Sequence, residues 1–301
     1  MTSERLKPAS MSFSRPQIRV ETGAQDVDAK VPFGGFAGRH LVLPEHVAKH
    51  FHLIDIRVGG RNQLASGSSI PGELFQRGEP LVDVALDSSV RDEDFSLLVE
   101  NVSRDHYDFL AELHGDTFDV SLPAWPHSKR TYPLGYYMEV TPLDRCPVTS
   151  RPQVVFTPRQ LFVPSATLEH FEVHAITANQ YGTNRRMWEL DVSKCATLSR
   201  SANGHAWLTW PQSVNACIAD DVTIHVKNLT RARRVFRAAL LGDGEPIPSW
   251  SQEGHEDFVR RVHGIVQKLG VTHYEAVQLL DTRLNLADMV LDGRIHLARS
   301  G

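Results

Sequence analysis

His46, His50 and His52 crowd one short stretch of the chain, and His170 and His174 share another, so metal ligation is the first chemistry to weigh. Imidazoles hold a metal on inner strands when a carboxylate or thiolate completes the shell. Here no glutamate stands at the proper distance after His50-Phe51-His52, and Glu172 sits in the second stretch where the first has His52, so no metal site is expected. Phe33-Gly34-Gly35-Phe36-Ala37-Gly38 is rich in glycine, but neither Lys-Ser nor Lys-Thr follows it, and it reads as a turn rather than a phosphate loop. The sequence has no Gly-x-Ser-x-Gly elbow and no His-Glu-x-x-His helix, and Cys146, Cys195 and Cys217 show no Cys-x-x-Cys spacing. The cysteines read as buried free thiols, and neither a catalytic residue nor a cofactor is expected. Arg231, Arg233, Arg234 and Arg237 form the one basic cluster. It reads as a solvated turn, with contact to nucleic acid or to an acidic neighbouring subunit as the alternative. Trp188, Trp207 and Trp210 are candidate platforms for a bound ligand.

The bulk numbers bound the scaffold that would carry these groups. A chain of 301 residues, 41% hydrophobic and 23% charged, is long enough for two domain-sized units with real cores. A formal charge of −4 argues against a surface built throughout for phosphate backbones. The longest apolar runs, such as Leu41 to Leu43 and Ala238 to Leu241, fall far short of the ~20 residues of a membrane helix, and no signal-peptide core opens the chain. Cytoplasmic synthesis is the default expectation.

The strongest signal is a repeat. Arg39-His-Leu41-Val-Leu-Pro44 falls on Arg159-Gln-Leu161-Phe-Val-Pro164 at an offset of 120, and the match runs on through His50-Phe51 and His170-Phe171 to Ile56 and Ile176. A second block, Asp94 to Asp116, falls on Asp221 to Asp243 at an offset of 127. It pairs Asn101 with Asn228, Phe109 with Phe236 and Gly115 with Gly242. Two blocks in the same order, their offsets differing by seven residues, point to an internal duplication with a loop insertion in the second copy.

Both copies alternate as strands do. In Phe95-Ser-Leu97-Leu-Val99 and Val222-Thr-Ile224-His-Val226 the apolar side chains fall on every second residue. Each strand meets an Asn-x-Ser/Thr turn, Asn101 to Ser103 and Asn228 to Thr230, and a second strand returns to a glycine. Leu41 to Pro44 and Leu161 to Pro164 read as short strands closed by proline. The expected fold is all-β: two tandem sandwiches of jelly-roll or Greek-key type with a short C-terminal α-helical tail. The expected units are an N-terminal arm over 1–30, a first sandwich over 31–120, a proline- and aromatic-rich connection over 121–152, a second sandwich over 153–248 and the tail over 249–301. In the tail, Phe258, Val262, Ile265 and Leu269 form one helical stripe that Gly270 ends; it packs on the sandwiches or docks on a neighbouring subunit. Thr272-His-Tyr-Glu275 is a capping box for a second helix.

The duplication and the phrase of strand, Asn-x-Ser/Thr, strand and glycine in each copy resemble the double jelly-roll major capsid proteins of small icosahedral viruses and phages. The resemblance covers roughly residues 31 to 245. It implies a structural, non-enzymatic function in a virion and a homo-oligomer, a trimer within a larger shell, touching other virion proteins and meeting nucleic acid indirectly or through a local basic patch. The weak positive charge of residues 1 to 30 departs from the strongly basic arms of some single jelly-roll capsid proteins. Two readings compete with this one: a tandem β-sandwich binding module for carbohydrate or protein, and a bicupin-like metal enzyme.

Overall fold

The computed structural model describes residues 7–19, 23–64, 68–84, 86–118, 130–152, 154–180, 185–210, 217–218 and 221–246. Period-2 alternation in the sequence becomes two antiparallel sandwiches. The first contains β1 (Lys7–Ile18), β2 (Gln25–Lys30), β3 (Gly35–Val42), α1 (Glu45–Ala48), β4 (Phe51–Val58), β5 (Arg61–Asn62), β6 (Ile70–Pro71), a 3-10 turn (Gly72–Phe75), β7 (Ser88–Val90), β8 (Asp94–Asn101) and β9 (Tyr107–Phe118). The second contains β10 (Arg130–Val140), β11 (Arg145–Ser150), β12 (Val154–Val163), α2 (Ser165–Leu168), β13 (Phe171–Gln180), β14 (Arg185–Asp191), α3 (Val192–Cys195), β15 (Thr197–Arg200), β16 (Ala206–Thr209), β17 (Cys217–Ile218), β18 (Asp221–Asn228) and β19 (Arg234–Pro246).

Strand order defines the fold. The first sandwich pairs β1-β9-β3-β7 in one sheet and β2-β8-β4-β5 in the other. The second repeats this as β10-β19-β12-β16-β15 and β11-β18-β13-β14. First strand beside last, last beside third, and second beside penultimate beside fourth is a double-sheet jelly roll, present twice. Inward side chains fill each interior, with Phe51 meeting Phe109 edge-on at 5.1 Å in the first and Phe171 meeting Phe236 edge-on at 5.4 Å in the second.

The irregularities match as well. A bulge falls between Leu53 and Asp55 in the first sandwich and between Val173 and Ala175 in the second, and another between Gly38 and His40 recurs between Pro158 and Gln160. Asn101 Nδ2 donates to the carbonyls of Ile18 and Asp105, both at 2.8 Å, while its Oδ1 accepts from the Ser103 N–H and hydroxyl. Asn228 does the same, donating to Val140 at 3.1 Å and Ala232 at 2.9 Å and accepting from Thr230. Each buried amide thus ties the turn ahead of the last strand to the end of the first. Gly115 and Gly242 are required by close approach, since a Cβ would lie 2.1 Å from the Ala37 carbonyl oxygen in one and 2.6 Å from that of Thr157 in the other.

Residues 7–18 and 25–30, expected as an arm or an extended strand, form β1 and β2; β1 pairs with β9, and its Met11 and Phe13 alternate with serines and enter the first core. Residues 130–140 and 145–150, placed in the connection, supply β10 and β11, with Tyr132, Leu134 and Tyr136 turned inward. β10 tolerates Pro133 because it is an edge strand. The tail over 249–301, with Phe258, Val262, Ile265 and Leu269, lies outside the described residues.

Candidate functional site in the seam between the sandwiches

The two sandwiches meet through unlike surfaces. The second presents the outer face of β19, β12 and β16, and the first presents the edge formed by β6, the 3-10 turn and the turn that follows it to Glu79. Side chains on β19 alternate: Phe236, Ala238 and Leu240 enter the second core, whereas Ala239 and Leu241 join Phe162 and Trp207 in the core of the first. The first core therefore runs on into the seam through these four side chains. Gly135, opposite Ala239 on β10, lies so close that a Cβ there would sit 2.2 Å from the Ser69 carbonyl oxygen.

A polar row borders this apolar patch. Glu73, Gln76 and Glu79, all buried, line the edge of the first sandwich. Arg237 Nη2 pairs with Glu73 Oε1 at 3.0 Å, with 17% and 4% of the two side chains exposed. Burial raises the Glu73 carboxyl above its ordinary range, and the Arg237 charge opposes that shift. Glu73 Oε2 has no hydrogen-bond partner among the described residues. Trp207 Nε1 donates to Glu79 Oε2 at 2.9 Å, and Asn203 Nδ2 donates to Glu79 Oε1 at 2.8 Å. His205 Nδ1 accepts from the Ser165 N–H at 3.0 Å, which leaves the proton of the neutral ring on Nε2, directed at Gln76 Oε1.

His52 belongs to the same seam. Its Nδ1 lies 2.6 Å from Ser69 Oγ, and its ring meets Tyr137 of β10 edge-on at 5.0 Å. Burial, with the Arg237 charge adding to it, lowers its pKa from 6.5 to about 3, so the ring is neutral. The other histidines scatter. His50 stacks on Tyr107 at 3.6 Å and His46 is exposed, and no group of three His, Cys, Asp or Glu among the described residues could hold a metal ion.

The arginine cluster divides by residue. Arg237 turns into the seam, while Arg231, Arg233 and Arg234 are exposed, with Arg233 3.9 Å from Glu139. Position separates them: Arg231 and Arg233 lie in the turn before β19 and Arg234 is its first residue, whereas Arg237 follows Phe236, which is buried in the second core, and so faces outward onto the neighbouring sandwich. The tryptophans are not open platforms. Trp207 is buried in the seam, Trp210 is buried in the second core, and Trp188 is partly buried against it. Of the thiols, Cys146 is free and half-buried, and burial raises its pKa.

Sequence reading missed Glu73, Gln76, Glu79, Gly135 and His205. Charged and amide groups at every third position in a proline- and glycine-bracketed stretch carry no periodic signal, and their partners lie more than a hundred residues away. Joined by this buried seam, the two jelly rolls form a two-sandwich block.

No family model matches the chain, and no curated protein matches it. Among solved structures it is similar to the major capsid protein P2 from bacteriophage PM2, at 10% identity and a TM-score of 0.36, over 79% of this chain and 97% of that one. The structure of infectious bursal virus derived T=1 particles aligns at 9% identity and a TM-score of 0.13, over 98% of this chain and 94% of that one.

Proposed function

We propose that the protein is a structural subunit that assembles with copies of itself, as trimers within a larger shell, into a viral capsid or a similar container in a virion. The observation that carries this reading is the seam. Two jelly rolls of one topology are joined through different surfaces, a sheet face on one and an edge on the other, so the contact is heterologous and can be continued by further copies. A buried ion pair, a tryptophan bonded to a carboxylate and a continuous core make the pair a stiff block rather than two domains on a linker.

The matching bulges, buried asparagines and close-approach glycines support descent of the two halves from one ancestral sandwich. Exposed Arg231, Arg233 and Arg234 are the candidates for a local contact with nucleic acid or an acidic neighbour, and Phe258, Val262, Ile265 and Leu269 for docking of the tail on another subunit. The chain is read as structural rather than catalytic.

Light scattering and electron microscopy of the purified protein over a range of salt test the reading. Closed particles or discrete oligomers that grow into them are expected. A monomer at every salt and protein concentration would overturn it.

A further inference from the structure

Two histidines face the seam, one from each sandwich, and the surroundings of each hold it neutral. His52 of β4 sets Nδ1 2.6 Å from Ser69 Oγ, while its Nε2 is buried and has no hydrogen-bond partner among the described residues. An imidazolium carries two N–H donors and needs two acceptors. Ser69 can serve one, the described residues offer none for the other, and Arg237, the charge that acts on the ring, has the same sign.

His205, in the turn between β15 and β16, is held in another way. Its Nδ1 accepts from the Ser165 N–H at 3.0 Å, so a proton on Nδ1 would set two donors against each other. Across the seam its Nε2 faces Gln76 Oε1 at 3.4 Å. Burial lowers the pKa of both rings; Arg237 adds to the shift in each, and Glu79 opposes it at His205.

We propose that acid parts the two sandwiches before either one unfolds, because His52 and His205 can take up a proton only when the seam opens. The device lies within one chain and holds whether or not copies assemble, so it goes beyond the shell reading. On the elements packed against His52, the titratable groups are Arg237 on β19, Tyr137 on β10, Glu73 on the turn after β6 and Glu100, its register partner on β8. At His205 they are Glu79 and Arg237. Arg237 stays charged and repels both imidazolium ions. Glu73 acts in the opposite sense: burial raises its carboxyl, so it takes up a proton more readily in the closed seam than in the open one. One group thus opposes two. Ala239, Leu241, Phe162 and Trp207, buried in the first core, keep the seam shut at neutral pH.

The sign and size follow from linkage. Below pH 6.5 the open form binds the histidine protons and the closed form does not, so each ring favours opening by about tenfold per pH unit. For His52, at about 3 when closed and 6.5 when open, this amounts to about 25-fold between pH 7 and pH 5.

Trp207 reports the seam, since it is buried there and bonded to Glu79. Urea titrations at pH 7 and pH 5 follow acrylamide quenching of the wild type against that of Trp207→Phe, beside far-UV circular dichroism. The two transitions are expected to coincide at pH 7, and at pH 5 exposure of Trp207 is expected at lower urea than the loss of strands. His52→Gln is expected to remove about 25-fold of the acid response of opening, and His52→Gln with His205→Asn to bring the transitions together again at pH 5. Should Trp207→Phe misfold, small-angle scattering reads the same step as a longer particle at unchanged circular dichroism. Coincident transitions of the wild type at both pH values, an undiminished acid response in His52→Gln, or a double variant that separates as the wild type does would overturn the inference. None of these results touches the shell reading, which wild-type particles test on their own.

Discussion

Replacing Arg237 with methionine keeps most of the side-chain volume and removes the charge that faces Glu73. The pair lies at 3.0 Å with side chains 17% and 4% exposed, so it belongs with buried ion pairs and not with surface pairs. Surface pairs contribute about 0–1 kcal/mol. Removing one partner of a buried pair costs about 3–5 kcal/mol, because the remaining charge stays buried and uncompensated. That is a large part of the ~5–15 kcal/mol that holds a typical domain together. The Glu73 carboxyl, already raised by burial, loses the cation that opposes the shift and rises further. A carboxyl whose folded pKa lies above its unfolded value takes up a proton more readily when folded, so the deficit relative to wild type is largest at neutral pH and shrinks as pH falls. The double variant Arg237→Met with Glu73→Leu removes both charges, and with Glu73 Oε2 lacking a partner among the described residues it is expected to return to within about 1 kcal/mol or exceed it. Urea unfolding monitored by circular dichroism, at pH 7 and pH 5, reads all three proteins. A loss below about 1 kcal/mol for Arg237→Met, or a double variant as unstable as the single one, would refute the assignment of Arg237 as the charge lock of the seam.

Three further outcomes follow from the same geometry. His52 titrates near 3 when folded against 6.5 as its ordinary value, so its contribution is full above pH 6.5 and is lost at about 1.4 kcal/mol per unit as pH falls below that; His52→Gln should flatten the stability-against-pH curve in this window, and parallel curves would contradict it. Asn101→Ala and Asn228→Ala each leave buried carbonyls and turn N–H groups unpaired, and each should cost roughly 2–4 kcal/mol by denaturant unfolding, the two values agreeing within about 1 kcal/mol; a near-neutral result at either site would break the equivalence of the two turns. Gly135→Val puts atoms where the Ser69 carbonyl stands, so limited proteolysis between the sandwiches should speed up by an order of magnitude or more, and unchanged cleavage would contradict the close approach.

What the sequence made legible was whatever depends on local pattern. Asn101 and Asn228 stand out because a short amide followed two residues later by a hydroxyl is a turn device, and the buried bonds agree in both sandwiches. Gly115 and Gly242 stand out by equivalence, and the structure gives the reason in a neighbouring carbonyl. β1 and β10 were harder. Serine alternating with Met11 and Phe13 is a strand with one polar face, yet Pro8 and Pro16 beside it leave an arm and an extended strand equally open. Pro133 masks β10 in the same way, although an edge strand accommodates it. Arg237 was visible as a charge but not as a partner of Glu73, because nothing local specifies a contact made when two folded units dock. The basic cluster accordingly read as one feature, and the turn before β19 and the docking of the two units split it into three exposed residues and one seam residue.

Electron microscopy of the purified wild-type protein bears most directly on the central claim that this block of two jelly rolls exists to tile. Closed particles, or discrete oligomers that grow into them, are the expected result. Isolated single chains across the full range of salt and concentration would contradict it.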